Sequence, residues 1–91
     1  MTTQTEQFPW DAEAAKKYAL MIHRMPLFHR EIARQVVDKT AVTLAKARGA
    51  RQVEEQDIVR AFCAEVPKAF YSLMVRLFED VGINYREYEP K

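Results

Sequence analysis

The sequence predicts an all-α protein, a compact orthogonal bundle of four helices in which the second helix is the longest. Apolar residues recur at helical spacing through most of the chain, and no stretch has the pattern of a strand. Helix-breaking residues fall between these periodic segments: Gly49, Gly82, Pro9, Pro26, Pro67 and Pro90. They divide the 91 residues into a flexible arm (1–9), a single helical domain (10–82) and an extended tail (83–91).

The first helix is predicted over Ala12–Arg24. Asp11 is placed to cap its N-terminus, because a carboxylate there accepts a hydrogen bond from the first turn. Trp10 precedes the cap and is predicted to fold back onto the helix as a hydrophobic staple. Pro26 disfavours helical geometry at Met25, so the helix is expected to end just before it.

The second helix is predicted from about residue 26 to Arg48. Pro26 suits its first position, and Gly49 is the expected stop. Its apolar residues are expected to form one stripe: Phe28, Ile32, Val36, Val37, Thr40, Ala41 and Leu44.

A short linker, residues 51–53, leads to a third helix that is predicted to start near Glu54, with an acidic first turn. Its apolar edge consists of Ile58, Ala61 and Phe62. The fourth helix is predicted over Pro67–Val81 and ends at Gly82. Its stripe is the clearest in the chain and is expected to pack on the first three helices: Phe70, Leu73, Met74, Leu77, Phe78 and Val81.

Two residues of the fourth helix, Tyr71 and Val75, lie off that stripe. A helix that is apolar on more than one side is either central in a core or half of an interface. Because a central helix is hard to arrange in so small a domain, these two residues are the predicted contact with a second copy or a protein partner.

The composition favours a soluble, cytoplasmic protein. Hydrophobic residues make up 48% and charged residues 30%, the balance of an ordinary globular domain. Cys63 is the only cysteine, so no intrachain disulfide can form, which suits a reducing compartment. No apolar run approaches the ~18 residues of a membrane span, and residues 1–6 lack the features of a signal peptide.

The charge is small but unevenly placed. The net charge is +1, with nine bases and five acids in residues 1–53 and five bases and eight acids in residues 54–91. The basic half allows an anionic partner, with Lys46, Arg48 and Arg51 as the candidate anion contact, although a solvated helix end would look the same. Nucleic-acid binders usually show a stronger basic bias, so nucleic acid is the less favoured partner.

The residues do not predict an enzyme, a metal site or a cofactor. Cys63 lies among apolar residues, and its candidate bases His23 and His29 lie two helices away. The two histidines are six residues apart, whereas paired ligands on a helix are three or four apart. An axial role of His29, Met21 or Met25 toward a haem-like ring is an alternative to packing in the core.

Two stretches of the chain form a family pattern. The first joins Trp10-Asp-Ala-Glu13-Ala14 to Met25-Pro26-Leu-Phe28-His-Arg30-Glu-Ile-Ala33-Arg34. The second joins Ala41-Val-Thr-Leu-Ala45-Lys-Ala-Arg-Gly49 to Val53-Glu54-Glu55-Gln-Asp57-Ile-Val-Arg-Ala61. Over residues 8–64 they resemble the small C-terminal domain of the B subunit of light-independent protochlorophyllide reductase, the PCP-reductase domain. Glu54 replaces the family's usual threonine, and residues 67–91 extend beyond that domain.

This resemblance implies a non-catalytic accessory or regulatory domain of a nitrogenase-like oxidoreductase, acting through protein–protein contacts. The iron–sulfur cysteines and the nucleotide site of that enzyme lie in other domains. The substrate of the family implies tetrapyrrole binding as an alternative function.

A second resemblance concerns Ala45-Lys-Ala-Arg48-Gly49 and Val53-Glu54-Glu55-Gln56-Asp57-Ile58-Val59. With a long helix between two short ones, the pattern is similar to that of an archaeal histone. This likeness implies a histone-like fold and, as a further alternative, DNA binding.

Overall fold

Four α-helices make up most of residues 8–88, which are the residues that the computed structural model describes. They are α1 (Ala12–His23), α2 (Leu27–Ala47), α3 (Glu55–Glu65) and α4 (Tyr71–Val81). Short 3₁₀ turns, Lys68–Phe70 and Tyr85–Glu87, precede and follow α4. The all-α prediction is confirmed, and α2 is the longest of these helices. Residues 1–7 of the predicted arm and 89–91 of the predicted tail lie outside the described range.

The segment before α1 is fastened to the α2–α3 linker. Asp11 caps α1 as predicted, its Oδ2 accepting a hydrogen bond from a first-turn N–H at 3.0 Å. The Asp11 N–H donates to the Val53 carbonyl at 2.8 Å, and the Val53 N–H donates to the Pro9 carbonyl at 2.9 Å. The Trp10 ring stacks on Tyr18, with 5.4 Å between ring centroids. Local capping and a single parallel bridge therefore set the direction of α1.

Two polar links hold α1 against the other helices. The Tyr18 hydroxyl donates to Asp38 on α2 at 2.5 Å. Burial, together with this bond, raises the pKa of the Tyr18 phenol above its ordinary value, so the neutral donor form is favoured. Lys17 Nζ lies 2.7 Å from Glu55 on α3 and 3.2 Å from the Gly82 carbonyl that ends α4.

The corner between α2 and α3 is held by Arg48 and Asp57. Arg48 Nε and Nη2 each donate to one Asp57 carboxylate oxygen at 2.8 Å. Asp57 is fully buried and also accepts the Glu54 N–H at 2.9 Å, which closes the first turn of α3. The hydrogen bonds to Asp57 raise the pKa of the Arg48 guanidinium, so the guanidinium keeps its positive charge.

The core is built around a row of five aromatic rings. Trp10 stacks on Tyr18, and Tyr18 meets Phe62 edge-on at 6.0 Å between centroids. Phe62 meets Phe78 at 5.6 Å, and Phe78 stacks on Tyr85 at 5.7 Å. The row connects the N-terminal segment, α1, α3, α4 and the last turn, so each of them depends on the others for burial.

The chain after Gly82 differs from the predicted extended tail. Gly82 ends α4 in the left-handed region, with φ 81°, as its position indicated. Ile83 and Tyr85 then turn back into the core and are buried, and the Ile83 N–H donates to the Phe78 carbonyl at 2.9 Å. The folded unit therefore reaches at least Tyr85, because the Tyr85 ring stacks on Phe78 and helps to bury it.

The apolar residues of α2 do not form one core-facing stripe, which corrects the sequence prediction. Val37, Ala41 and Ala45 are fully buried, whereas Phe28 and Ile32 are 75% and 63% exposed. Successive residues on an α-helix are about 100° apart, so the row from Phe28 through Ile32 runs beside the buried row instead of along it. The N-terminal half of α2 consequently leaves an apolar row uncovered.

The fourth helix also differs from the prediction at its start and along one edge. Residues 68–70 form a 3₁₀ turn, and α4 begins only at Tyr71. Met74, Leu77 and Phe78 are buried as expected, but Phe70 and Leu73 are about half exposed. The predicted stripe is wider than the surface that the core offers, so only one of its edges is buried. On α3, by contrast, the predicted edge of Ile58, Ala61 and Phe62 is fully buried.

Two leucines one turn apart on α4 provide a matched stability test. Leu77 is buried and Leu73 is half exposed. Leu77→Ala is expected to lower the free energy of unfolding by about 2–5 kcal/mol, because it removes buried methyl groups and leaves a void. Leu73→Ala should cost less than about 1 kcal/mol. Urea titrations monitored by circular dichroism measure the free energy of unfolding of both variants. Equal losses of stability would contradict the burial assigned to α4.

None of the helices in residues 8–88 combines the length and the apolar character needed to cross a membrane.

Candidate functional site

An open apolar groove lies between the N-terminal half of α2 and the segment that joins α3 to α4. Its volume is about 260 Å³. Val37, Phe62 and Leu77 contribute to its floor, and all three are buried residues of the core. The groove is therefore a depression in the outer surface of the core between two helices.

Both walls of the groove are apolar. Ile32 and Val36 line it on α2, and Phe70 and Leu73 line it on the opposite side. All four side chains are exposed by about two-fifths or more. These are the residues for which the predicted stripes of α2 and α4 were wrong, so the two uncovered edges face each other across one cleft.

Aromatic contacts define one end of the groove. The centroids of the Phe28 and His29 rings are 4.2 Å apart, and those of the His29 and Phe70 rings are 6.4 Å apart. Both pairs meet edge-on. Phe28 is the most exposed large apolar side chain of the described residues. It stands beside the groove as a ridge that continues into Ile32, one helical turn further along α2.

Few polar groups line the groove. Glu65, at the end of α3, is one, and it accepts a hydrogen bond from the Thr40 hydroxyl at 2.7 Å. His29 is the other titratable side chain of the lining. Cys63 does not line it. An apolar cleft with two peripheral polar groups is suited to binding apolar side chains.

The histidines do not converge on a metal site in the part of the chain that is described. Within residues 8–88, no group of three or more His, Cys, Asp or Glu side chains is placed to hold a metal ion. Of the three candidate axial ligands, Met25 and His29 line the groove, whereas Met21 is fully buried in the core.

Two of the three residues of the candidate anion contact make contacts with other side chains of the chain. Arg48 donates to Asp57 and Glu54, so its guanidinium is used to hold the α2–α3 corner. Lys46 Nζ lies 5.5 Å from the centroid of the Phe8 ring, a cation–π geometry. Of the three cations, Arg51 is left as an exposed side chain in the linker. The sequence could not reveal this arrangement, because the partner of Arg48 is nine residues away on another helix.

The candidate interface residues Tyr71 and Val75 lie away from the groove. Val75 is half-buried and packs against the core, and Tyr71 is 37% exposed. Phe70, in the turn before α4, and Leu73, on α4, are more exposed than Tyr71, at 50% and 47%. The width of the α4 stripe was the signal for this in the sequence, since a stripe so wide exceeds what one side of a small core can cover.

Fold and groove together define the class of this protein as a small all-α domain with an uncovered apolar cleft between two of its helices. Comparison of the chain with family models, with curated proteins and with solved structures finds no match.

Proposed function

We propose that this chain is a non-catalytic helical accessory or regulatory domain that acts through protein–protein contacts made by the apolar groove. The observation that carries the proposal is the exposure of the two apolar walls of the groove. Ile32 forms one wall on α2, Phe70 and Leu73 form the other on the α4 side, and each side chain is about half exposed or more. Contiguous exposed apolar patches of a few hundred Å² mark interaction sites in many proteins, because leaving them in water is unfavourable.

The resemblance of residues 8–64 to the C-terminal domain of the B subunit of light-independent protochlorophyllide reductase supports an accessory role. That domain is an appendage of an oxidoreductase whose catalytic centres lie elsewhere. In the proposal, this chain serves an enzyme or another protein in the same way. Trp10 and Pro26, which carry part of the resemblance, contribute here to the position of α1 and to the start of α2.

Protein side chains suit the groove better than a tetrapyrrole does. Pockets that enclose a ligand of drug size or larger usually have volumes of about 300–1,000 Å³. The groove, at about 260 Å³, falls below that range and is open to solvent. Although His29 and Met25 line it, a large planar ring would remain mostly in solvent, whereas one or two apolar side chains would fill it.

DNA binding draws less support from the geometry. Of the predicted cluster of Lys46, Arg48 and Arg51, Arg48 is already paired with Asp57. A histone-like contact with phosphates needs several unpaired cations in a row.

The proposed function is tested by purifying the tagged full-length chain from its native host. Mass spectrometry then identifies the proteins that co-purify, and the mass of the complex gives the number of chains in it. Ile32→Glu introduces a charge into the groove wall and is expected to weaken the association at least about 100-fold, because a carboxylate buried without a partner is strongly unfavourable.

The matched control is Leu20→Glu, which places the same charge on α1 at a side chain that is 45% exposed and does not line the groove. It should retain the association. A complex that survives Ile32→Glu and Leu20→Glu equally would contradict the proposal.

A further inference from the structure

We infer that the occupant of the groove is a second copy of this chain, bound about a twofold axis with Phe28 and Ile32 of each copy against the groove of the other. The inference rests on the proposed function, since it names the partner of the same groove. The domain would then act as a dimerising module.

The surface is self-complementary, as a twofold interface requires. Phe28 and Ile32 form an apolar ridge, and the groove lies immediately beside it. The ring contacts from Phe28 to His29 and from His29 to Phe70 show that ridge and groove share one continuous surface. A twofold rotation places the ridge of each copy opposite the groove of the other, so both patches are covered at once.

The sizes of ridge and groove agree. An apolar protein cavity of about 150 Å³ accommodates a benzene ring. The groove of about 260 Å³ therefore has room for the Phe28 ring of a second copy and part of Ile32. Apart from Glu65 and His29, the side chains that line the groove are apolar, as are the Phe28 and Ile32 side chains that would occupy it.

The apolar area is also what a dimer needs. A fully exposed aromatic side chain presents about 150–250 Å² and an aliphatic one somewhat less, so the uncovered parts of the ridge and walls amount to roughly 500 Å². A standard interface buries about 800 Å² per partner, and in homodimers about 65% of it is apolar, which again gives roughly 500 Å². One further copy is thus sufficient to cover the patch.

The composition of residues 1–7 and 89–91 does not match that of an occupant for an apolar groove. Residues 1–7 and 89–91 contain a single large apolar side chain, Met1, and are otherwise polar, charged or proline. They lack the two or three apolar side chains at helical or strand spacing that a groove of this kind binds.

Sedimentation equilibrium of the full chain, from about 1 µM to about 1 mM, is the test, because that range covers weak to moderate dimers. We expect a monomer–dimer equilibrium. Ile32→Glu and Leu73→Glu should each raise the dissociation constant at least about 100-fold, since a symmetric dimer contains every substitution twice. Leu20→Glu should change it less than about threefold. Circular dichroism confirms that each variant retains its helices.

A second measurement uses no substitution. In amide NMR spectra recorded on dilution, residues of α2 from 28 to 36 and of the groove wall at 70–73 should shift together with concentration, and the exposed side of α1 should not.

Two results would overturn the inference. One is a monomer at every concentration. The other is a dimer that Tyr71→Glu breaks and Ile32→Glu leaves intact, which would place the interface on the opposite side of α4. If the chain is monomeric but Ile32→Glu still abolishes capture of another host protein, the second-copy inference fails while the proposed function stands.

Discussion

Replacing Asp57 by asparagine is expected to lower the free energy of unfolding by about 3–5 kcal/mol. The carboxylate is fully buried and accepts two hydrogen bonds from Arg48 and one from the Glu54 N–H. Asparagine keeps the shape but removes the buried one of the two carboxylates that pair with the guanidinium, and it places an amide NH₂ against it. Since small domains are stable by only about 5–15 kcal/mol, this variant should be marginally folded.

The controls separate charge from geometry. Glu54→Gln removes the second carboxylate partner of Arg48, at 3.1 Å, but that side chain is 44% exposed, so the expected cost is below about 1 kcal/mol. Arg48→Lys keeps the charge and loses the two-pronged geometry, and its cost should fall between the other two. Chemical denaturation at constant pH measures all three. Similar midpoints for Asp57→Asn and Glu54→Gln would show that the corner does not depend on the buried pair.

Phe62→Ala is expected to have a comparable effect, about 3–5 kcal/mol. Phe62 is fully buried at the centre of the aromatic row, with Tyr18 on one side and Phe78 on the other. Its removal leaves a void between α1, α3 and α4 that the rigid helices cannot close, and it also removes part of the groove floor.

Thermal and urea melts give the size of this effect, and near-ultraviolet circular dichroism reports the packing of the remaining rings. Phe28→Ala is the matched control, because the same side chain is lost at a position that is 75% exposed. It should change the stability of the dilute protein by no more than about 0.5 kcal/mol. If the two variants melted alike, the assignment of α3 as the centre of the core would be wrong.

Phe28→Ala should also weaken the proposed dimer. Phe28 contributes to the exposed ridge and not to the core, so this substitution separates association from the stability of the fold. Phe62→Ala does not separate them, because Phe62 belongs both to the core and to the floor of the groove.

The local signals in the sequence determined where the helices begin and end. Asp11 caps α1 through a bond within one turn, Pro26 separates α1 from α2, and Gly49 and Gly82 adopt positive φ where α2 and α4 stop. Each of these effects depends on a residue and its neighbours within about four positions, which is what a sequence displays directly. The 3₁₀ turn before α4 is the exception, because Pro67 predicts the start of a regular helix, whereas α4 begins only at Tyr71.

The tertiary structure alone decided which edge of each apolar stripe is buried. The periodicity of α2 and α4 shows that both helices are amphipathic, but how far each is rotated toward the core depends on the helices that pack against it. In this protein the packing buries Val37 and Phe78 and leaves Ile32, Phe70 and Leu73 about half exposed to solvent or more. The groove, the Arg48–Asp57 pair and the burial of Tyr85 all arise from contacts between elements distant in the chain, and no local pattern of residues specifies them.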